Sequence, residues 1–80
     1  MSLVELTEFL VKSVSKNPDM VSVKQFENDG SSVIQILVDK DDIASMIGKN
    51  GVIIGSIRNI VNLAAYNKNE DSVKIYIDSF

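Results

Sequence analysis

The residues with the clearest chemical potential are Gly48-Lys49-Asn50-Gly51, a four-residue segment between the apolar Ile47 and Val52. Glycine lacks a Cβ, so it admits left-handed backbone and lets another chain come within hydrogen-bonding distance of its peptide groups. A helix opening directly after Gly51 would present amides without intrahelical acceptors, together with the positive end of its dipole. Such a turn is an anion site suited to a phosphate, and Lys49 adds a full charge at its tip. The same residues also fit a plain turn between helices with a glycine C-cap, a pattern that arises often by chance. Other chemistry is scarce. The chain has no cysteine and no histidine, which excludes disulfides, thiolate catalysis, the usual zinc knuckles and the commonest general base. Asp39, Asp41 and Asp42 read as helix capping rather than as a metal or acid–base site, since carboxylates at a helix start offset unpaired amides. No cofactor, metal or catalytic activity is expected.

The elements that must position this loop follow from the apolar spacing. Ser2 and Glu5 have capping-box spacing, and Leu3, Leu6, Leu10 and Val14 recur at helical intervals, predicting a helix from Leu3 to Lys16 that Asn17-Pro18 stops. Met20 to Phe26 reads as a strand, Asn28-Asp29-Gly30 as a tight hairpin turn, and Ser32 to Asp39 as the return strand. Ile34, Ile36 and Val38 fall on one face of that strand, and Val33, Gln35 and Leu37 on the other. Asp39 and Asp42 mark the start of a short helix with Ile43, Met46 and Ile47 as its apolar stripe. After Gly51 a longer helix runs to Asn67, with Ile53, Ile57, Ile60, Val61 and Ala64 within one arc and Arg58, Asn59, Asn62 and Tyr66 opposite. Asn67 to Asp71 is a polar connection. Ser72 to Phe80 alternates Val73, Ile75 and Ile77 against Lys74, Tyr76 and Asp78, the period of a half-buried strand. The order α-β-β-α-α-β predicts an α+β domain, a three-stranded sheet with three helices on one face.

Eighty residues, 45% hydrophobic, hold one small core and no second domain, so stability is thin unless a second copy or a partner adds to it. The formal charge of −3 argues at first against a nucleic-acid partner. Its distribution argues the other way. From Ile43 to Asn69 the chain carries Lys49, Arg58 and Lys68 and no acid, whereas the remainder holds 5 basic and 11 acidic residues, a segregation suited to local anion binding. No stretch has the order of a signal peptide or the length of a membrane span, so a cytoplasmic location and no membrane association are expected.

A strand, a short helix, Ile47-Gly48-Lys49-Asn50-Gly51 and a helix opening Val52-Ile53-Ile54 together resemble a KH domain, and the resemblance spans the chain, residues 1–80, as a single domain. The element order resembles the type II arrangement, and the length resembles the small bacterial KhpA family. That resemblance implies single-stranded RNA binding, with the G-x-x-G loop clamping the backbone of about four nucleotides beside an apolar groove. Residue by residue, Gly48, Lys49, Asn50 and Gly51 would form the clamp, Ile47 and Ile54 would bracket it as packing residues, and Arg58 matches a basic position on the long helix. Many members carry a basic residue directly after the second glycine and another three positions later, where this chain has Val52 and Gly55. The implied phosphate surface is therefore poorer. Val52 would extend the apolar floor, and Gly55, at a cost of about 1 kcal/mol within a helix, would mark a close approach by RNA or protein.

Three rivals bear on the same residues. A DNA-reading helix-turn-helix fits badly, because Arg58 is the only charged residue between Val52 and Asn67. A P-loop is discarded for want of a Gly-Lys-Ser/Thr sequence. A protein-interaction or dimerisation module of the same fold is the more serious rival, motivated by Val33, Leu37 and Tyr76 on the sheet's outer face. The overall expectation is a KH-type RNA-binding protein, an RNA chaperone or post-transcriptional regulator. It would act as a homodimer or beside a larger protein with its own KH domain and a further single-stranded nucleic-acid-binding domain, the partner that the resemblance implies.

Overall fold

The computed structural model describes every residue except Asn69 and Asp71, and of Lys49 it describes the backbone but not the side chain. The first helix, α1 (Leu3–Val14), opens as its capping box requires: the Glu5 amide donates to Ser2 Oγ and the Ser2 amide to Glu5 Oε1, each at 3.0 Å. These bonds hold the Glu5 carboxyl below its usual pKa, the Ser2 backbone N–H contributing most. The helix ends two residues earlier than its periodicity predicts, because the next amides are taken elsewhere. Lys16 N–H donates to Asp42 Oδ1 at 2.8 Å and Asn17 N–H to Asp42 Oδ2 at 3.0 Å. Pro18–Met20 then forms one 3₁₀ turn, which delays the first strand to Ser22.

Strands β1 (Ser22–Asn28) and β2 (Ser31–Val38) pair antiparallel through a two-residue turn in which Asp29 and Gly30 have φ of +53° and +79°. Positive φ at both positions is the mark of a type I′ hairpin, whose twist matches that of the strands. Strand β3 (Lys74–Ser79) pairs parallel to β2, so β2 is central in the order β1-β2-β3. A parallel partner demands a long crossover, here supplied by the helical segment α2 (Lys40–Asn67).

The helical segment α2 runs from Lys40 to Asn67, yet Asn50 and Gly51 within it have φ of +65° and +67°. Left-handed residues do not belong to a right-handed helix, so the axis breaks there into a first arm, residues 40–49, and a second arm, residues 52–67. With α1 these make three helices against one face of the sheet, the α-β-β-α-α-β order of a type II KH fold. The core joins Leu3 and Val11 of α1, Ile34, Ile36 and Val38 of β2, Met46 of the first arm, Ile54, Ile57, Val61 and Ala65 of the second, and Val73 and Ile75. The buried stripe of the second arm is therefore 54-57-61-65. Ile60, expected inside, is exposed, as are Val52, Leu63 and Tyr66. Apolar residues cover more than one side of this arm, so periodicity alone does not pick out the buried stripe; the arm is also fastened to β3 and to the residue that leads into it. Asn62 Oδ1 accepts from Val73 N–H at 2.8 Å, and an Arg58 guanidinium N–H donates to the Ile75 carbonyl at 3.4 Å. Among the described residues no helix is long and apolar enough to cross a membrane, and no group of acids could hold a metal ion.

Asp42 does more than face a helix dipole, which is Asp39's work as the N-cap accepting from Asp41 N–H at 3.1 Å. Asp42 is buried, and its carboxyl lies below its usual 3.8, chiefly through the Lys16 N–H and then the Asn17 groups, against the opposing effect of burial. A lowered folded pKa means that the stabilisation is complete above the unfolded value and is lost as pH falls through the folded one, a window below about pH 4. Asp42→Asn is expected to lower Tm at neutral pH by roughly 10 °C, with the gap to the native chain closing below about pH 4 in circular-dichroism melts.

Candidate functional site

The break in α2 puts the four-residue loop at an exposed elbow. Gly48, Asn50 and Val52 are exposed and Gly51 is half-buried. The two glycines are there for different reasons. Gly51 needs its residue type for the backbone, since its φ is +67° while a Cβ would meet only Ile54 Cγ2 at an ordinary 3.6 Å. Asn50, also left-handed, is among the few non-glycine types that adopt that conformation readily. Gly48 has no left-handed φ, and a Cβ there would meet nothing within 4 Å. Nothing among the described atoms requires a glycine at position 48.

Beside Gly48 lies an open groove of about 490 Å³, lined by Ala44, Ser45, Gly48, Val52 and Ile53. The first arm contributes one wall and the second the other, so the groove exists only because the axis breaks between them. Val52 forms part of its apolar surface. Ala44, Ser45 and Ile53 join the site only in three dimensions; the one signal for Ala44 and Ser45 is a pair of small residues one turn before Gly48. Ile54 is buried and packs beneath the loop. Ile47, expected as its packing counterpart, is 48% exposed, because Met46 takes the inward position of that turn.

The remaining candidates lie apart. Gly55 stands one turn into the second arm, and a Cβ added there would meet nothing within 4 Å, so the molecule itself gives no reason for a glycine. Arg58 is two turns from Gly51, about 10 Å along the axis, with its guanidinium on the β3 carbonyl of Ile75. Lys68 is about 25 Å from the loop, and its Nζ donates to the Met1 carbonyl at 2.7 Å. The acid-free block is thus spread along a helix rather than gathered in one patch. The side chain of Lys49 lies outside the described atoms.

A three-stranded mixed sheet backed by three helices, with a G-x-x-G elbow between the second and third, defines a KH domain of type II topology. Residues 4–77 match the family described as "KhpA/KhpB, KH domain", and this chain belongs to that family. It is similar to proteins named RNA-binding protein KhpA from several bacteria. That of Thermotoga maritima is 30% identical over 71 residues, 89% of this chain and 95% of its own. That of Clostridium perfringens is 33% identical over 69 residues, 86% and 92%. That of Caldanaerobacter subterraneus is 36% identical over 61 residues, 76% and 81%.

The contrast between the glycines has a direct consequence for stability. In urea titrations Gly51→Ala is expected to lose about 1–2 kcal/mol, the penalty for left-handed backbone. Gly48→Ala and Gly55→Ala are expected to be neutral or to gain about 0.5–1 kcal/mol, because alanine is the better helix residue and both positions are open.

Proposed function

We propose that residues 1–80 act as a single KH domain that binds single-stranded RNA, holding its sugar-phosphate backbone at Gly48-Lys49-Asn50-Gly51. Bases lie in the groove formed by Ala44, Ser45, Val52 and Ile53. The observation that carries this reading is Gly48: an exposed glycine with neither a conformational nor a packing need, on the wall of an open apolar groove. Its bare backbone lets a phosphate approach peptide groups directly. The left-handed pair behind it starts the second arm afresh, so the positive end of that arm's dipole also faces the loop. The relatives named as RNA-binding proteins support the same ligand. Lys49 adds its charge at the loop, and Arg58 joins only a strand long enough to reach two turns along the arm. The protein binds RNA rather than transforming it, in the manner of an RNA chaperone or post-transcriptional regulator.

Four nucleotides and one loop lysine give modest affinity, which a second KH chain would raise by avidity. The exposed stripe Ile60, Leu63 and Tyr66 on the second arm favours that pairing, with a second copy or with a larger KH-domain protein. The double variant Lys49→Asp with Asn50→Asp is expected to abolish RNA retention in a fluorescence-anisotropy titration without shifting Tm, since aspartate tolerates left-handed backbone and the loop is exposed. Unchanged binding would refute the clamp. For a short RNA confined to the elbow the affinity is expected to fall with salt at a log–log slope near −0.7, that of about one phosphate neutralised by Lys49, and the slope is expected to steepen for strands long enough to reach Arg58. Replacing the exposed Leu63 by glutamate is expected to shift sedimentation toward monomer and to remove the dependence of Tm on protein concentration.

A further inference from the structure

The face of the sheet turned away from the helices carries a second arrangement that the loop does not use. The register sets Phe26, Val33 and Lys74 in one row across the three strands, and Lys24, Gln35 and Tyr76 in the next. Phe26 is 47% exposed and Tyr76 57%, and both lysines and Gln35 are exposed as well. Val33 is 3% exposed although it lies on this open face and takes no part in the core between sheet and helices. Its neighbours across the strands are Phe26 on one side and Lys74 on the other. Neither lysine makes an ion pair among the described residues. The acid on the face, Asp78, sits one row beyond Tyr76, with Oδ1 accepting from Ser79 N–H at 2.8 Å.

We infer that this face is a second contact surface for single-stranded RNA, with Phe26 and Tyr76 as stacking platforms and Lys24 and Lys74 as phosphate contacts. The charge favours a polyanion. In a chain of net charge −3, two rows of the sheet carry two lysines and no acid. The aromatic spacing favours bases. Strands about 4.8 Å apart and a two-residue step of about 6.7 Å put the Cα atoms of Phe26 and Tyr76 roughly 12 Å apart, far enough that each ring takes a different base of one strand by stacking, without hydrogen-bond readout. An apolar protein partner would have to bury both lysine ammonium groups, which is costly without matching acids.

The inference extends the loop reading to longer strands, and the test separates the two. Anisotropy titrations use labelled oligouridylates of about 4 and about 12 nucleotides with the native chain, Phe26→Leu with Tyr76→Leu, and Lys49→Asp with Asn50→Asp. Leucine keeps the apolar cover of the sheet and removes the stacking face. The sheet variant is expected to bind the short RNA as the native chain does and the long one about tenfold more weakly, with unchanged Tm and sedimentation. A loop variant that still binds both lengths would overturn the loop clamp alone. Native-like binding of the long RNA by the sheet variant would overturn the sheet inference alone. A loss that comes with altered sedimentation would assign the face to a second copy and overturn it too. Photo-crosslinking of native protein to 4-thiouridine RNA is expected to label the peptides holding Phe26 and Tyr76; absence of both labels would refute the contact independently of how the variants fold.

Discussion

Two consecutive left-handed residues, Asn50 and Gly51, govern the rest of the molecule. A straight helix over the 28 residues of α2 would be about 42 Å long, more than the longest dimension of the whole domain, 34 Å. Such a helix would carry one of its halves off the sheet and leave either Met46 or the stripe Ile54, Ile57, Val61 and Ala65 in water. The break lets both arms reach β2 and returns the chain so that β3 joins parallel to it. Closing the core and exposing the elbow are the same event. The site is thus supported by the whole hydrophobic core rather than by local contacts in the loop.

Asp42 performs the corresponding task at the other end of the first arm. By taking the amides of Lys16 and Asn17, it ends α1 and ties that helix to the start of α2 across 25 and 26 residues of sequence. The carboxylate is buried with every hydrogen-bonding atom partnered, so its burial is offset by charge-assisted bonds. Asp39 caps the first arm beside it, and Asn17 Nδ2 lies 3.4 Å from both carboxylates. One wall of the groove, Ala44 and Ser45, stands on the turn these bonds anchor.

What was legible in the sequence was local. The capping box, the Asp-Gly hairpin and the glycine-bounded elbow each depend on residues within a few positions of one another, and each occurs where the spacing puts it. The partner of Asp42 is remote, so by spacing alone the residue is one more helix-start carboxylate. The second arm carries apolar residues on more than one side, and its orientation also depends on Asn62 holding the Val73 amide and Arg58 the Ile75 carbonyl, contacts that no periodicity contains. The groove needs both arms in place before it has a shape. Phe26 shares a row with Val33 and Lys74 only through cross-strand register, which alternation along a single strand does not reveal.

The cations follow the same rule. Read along the chain, Lys49, Arg58 and Lys68 form one acid-free block, but in space Lys68 serves the Met1 carbonyl and Arg58 the Ile75 carbonyl. A polyanion approaching the elbow therefore meets backbone dipoles and the charge of Lys49 rather than a basic patch. On the opposite face of the sheet, Lys24 and Lys74 stand clear among aromatic rings. Cations divided between two separated surfaces of an acidic body give each surface little attraction alone. Under the proposed function, such a division favours long single strands that reach both surfaces, or two copies acting together, over short strands held at either one.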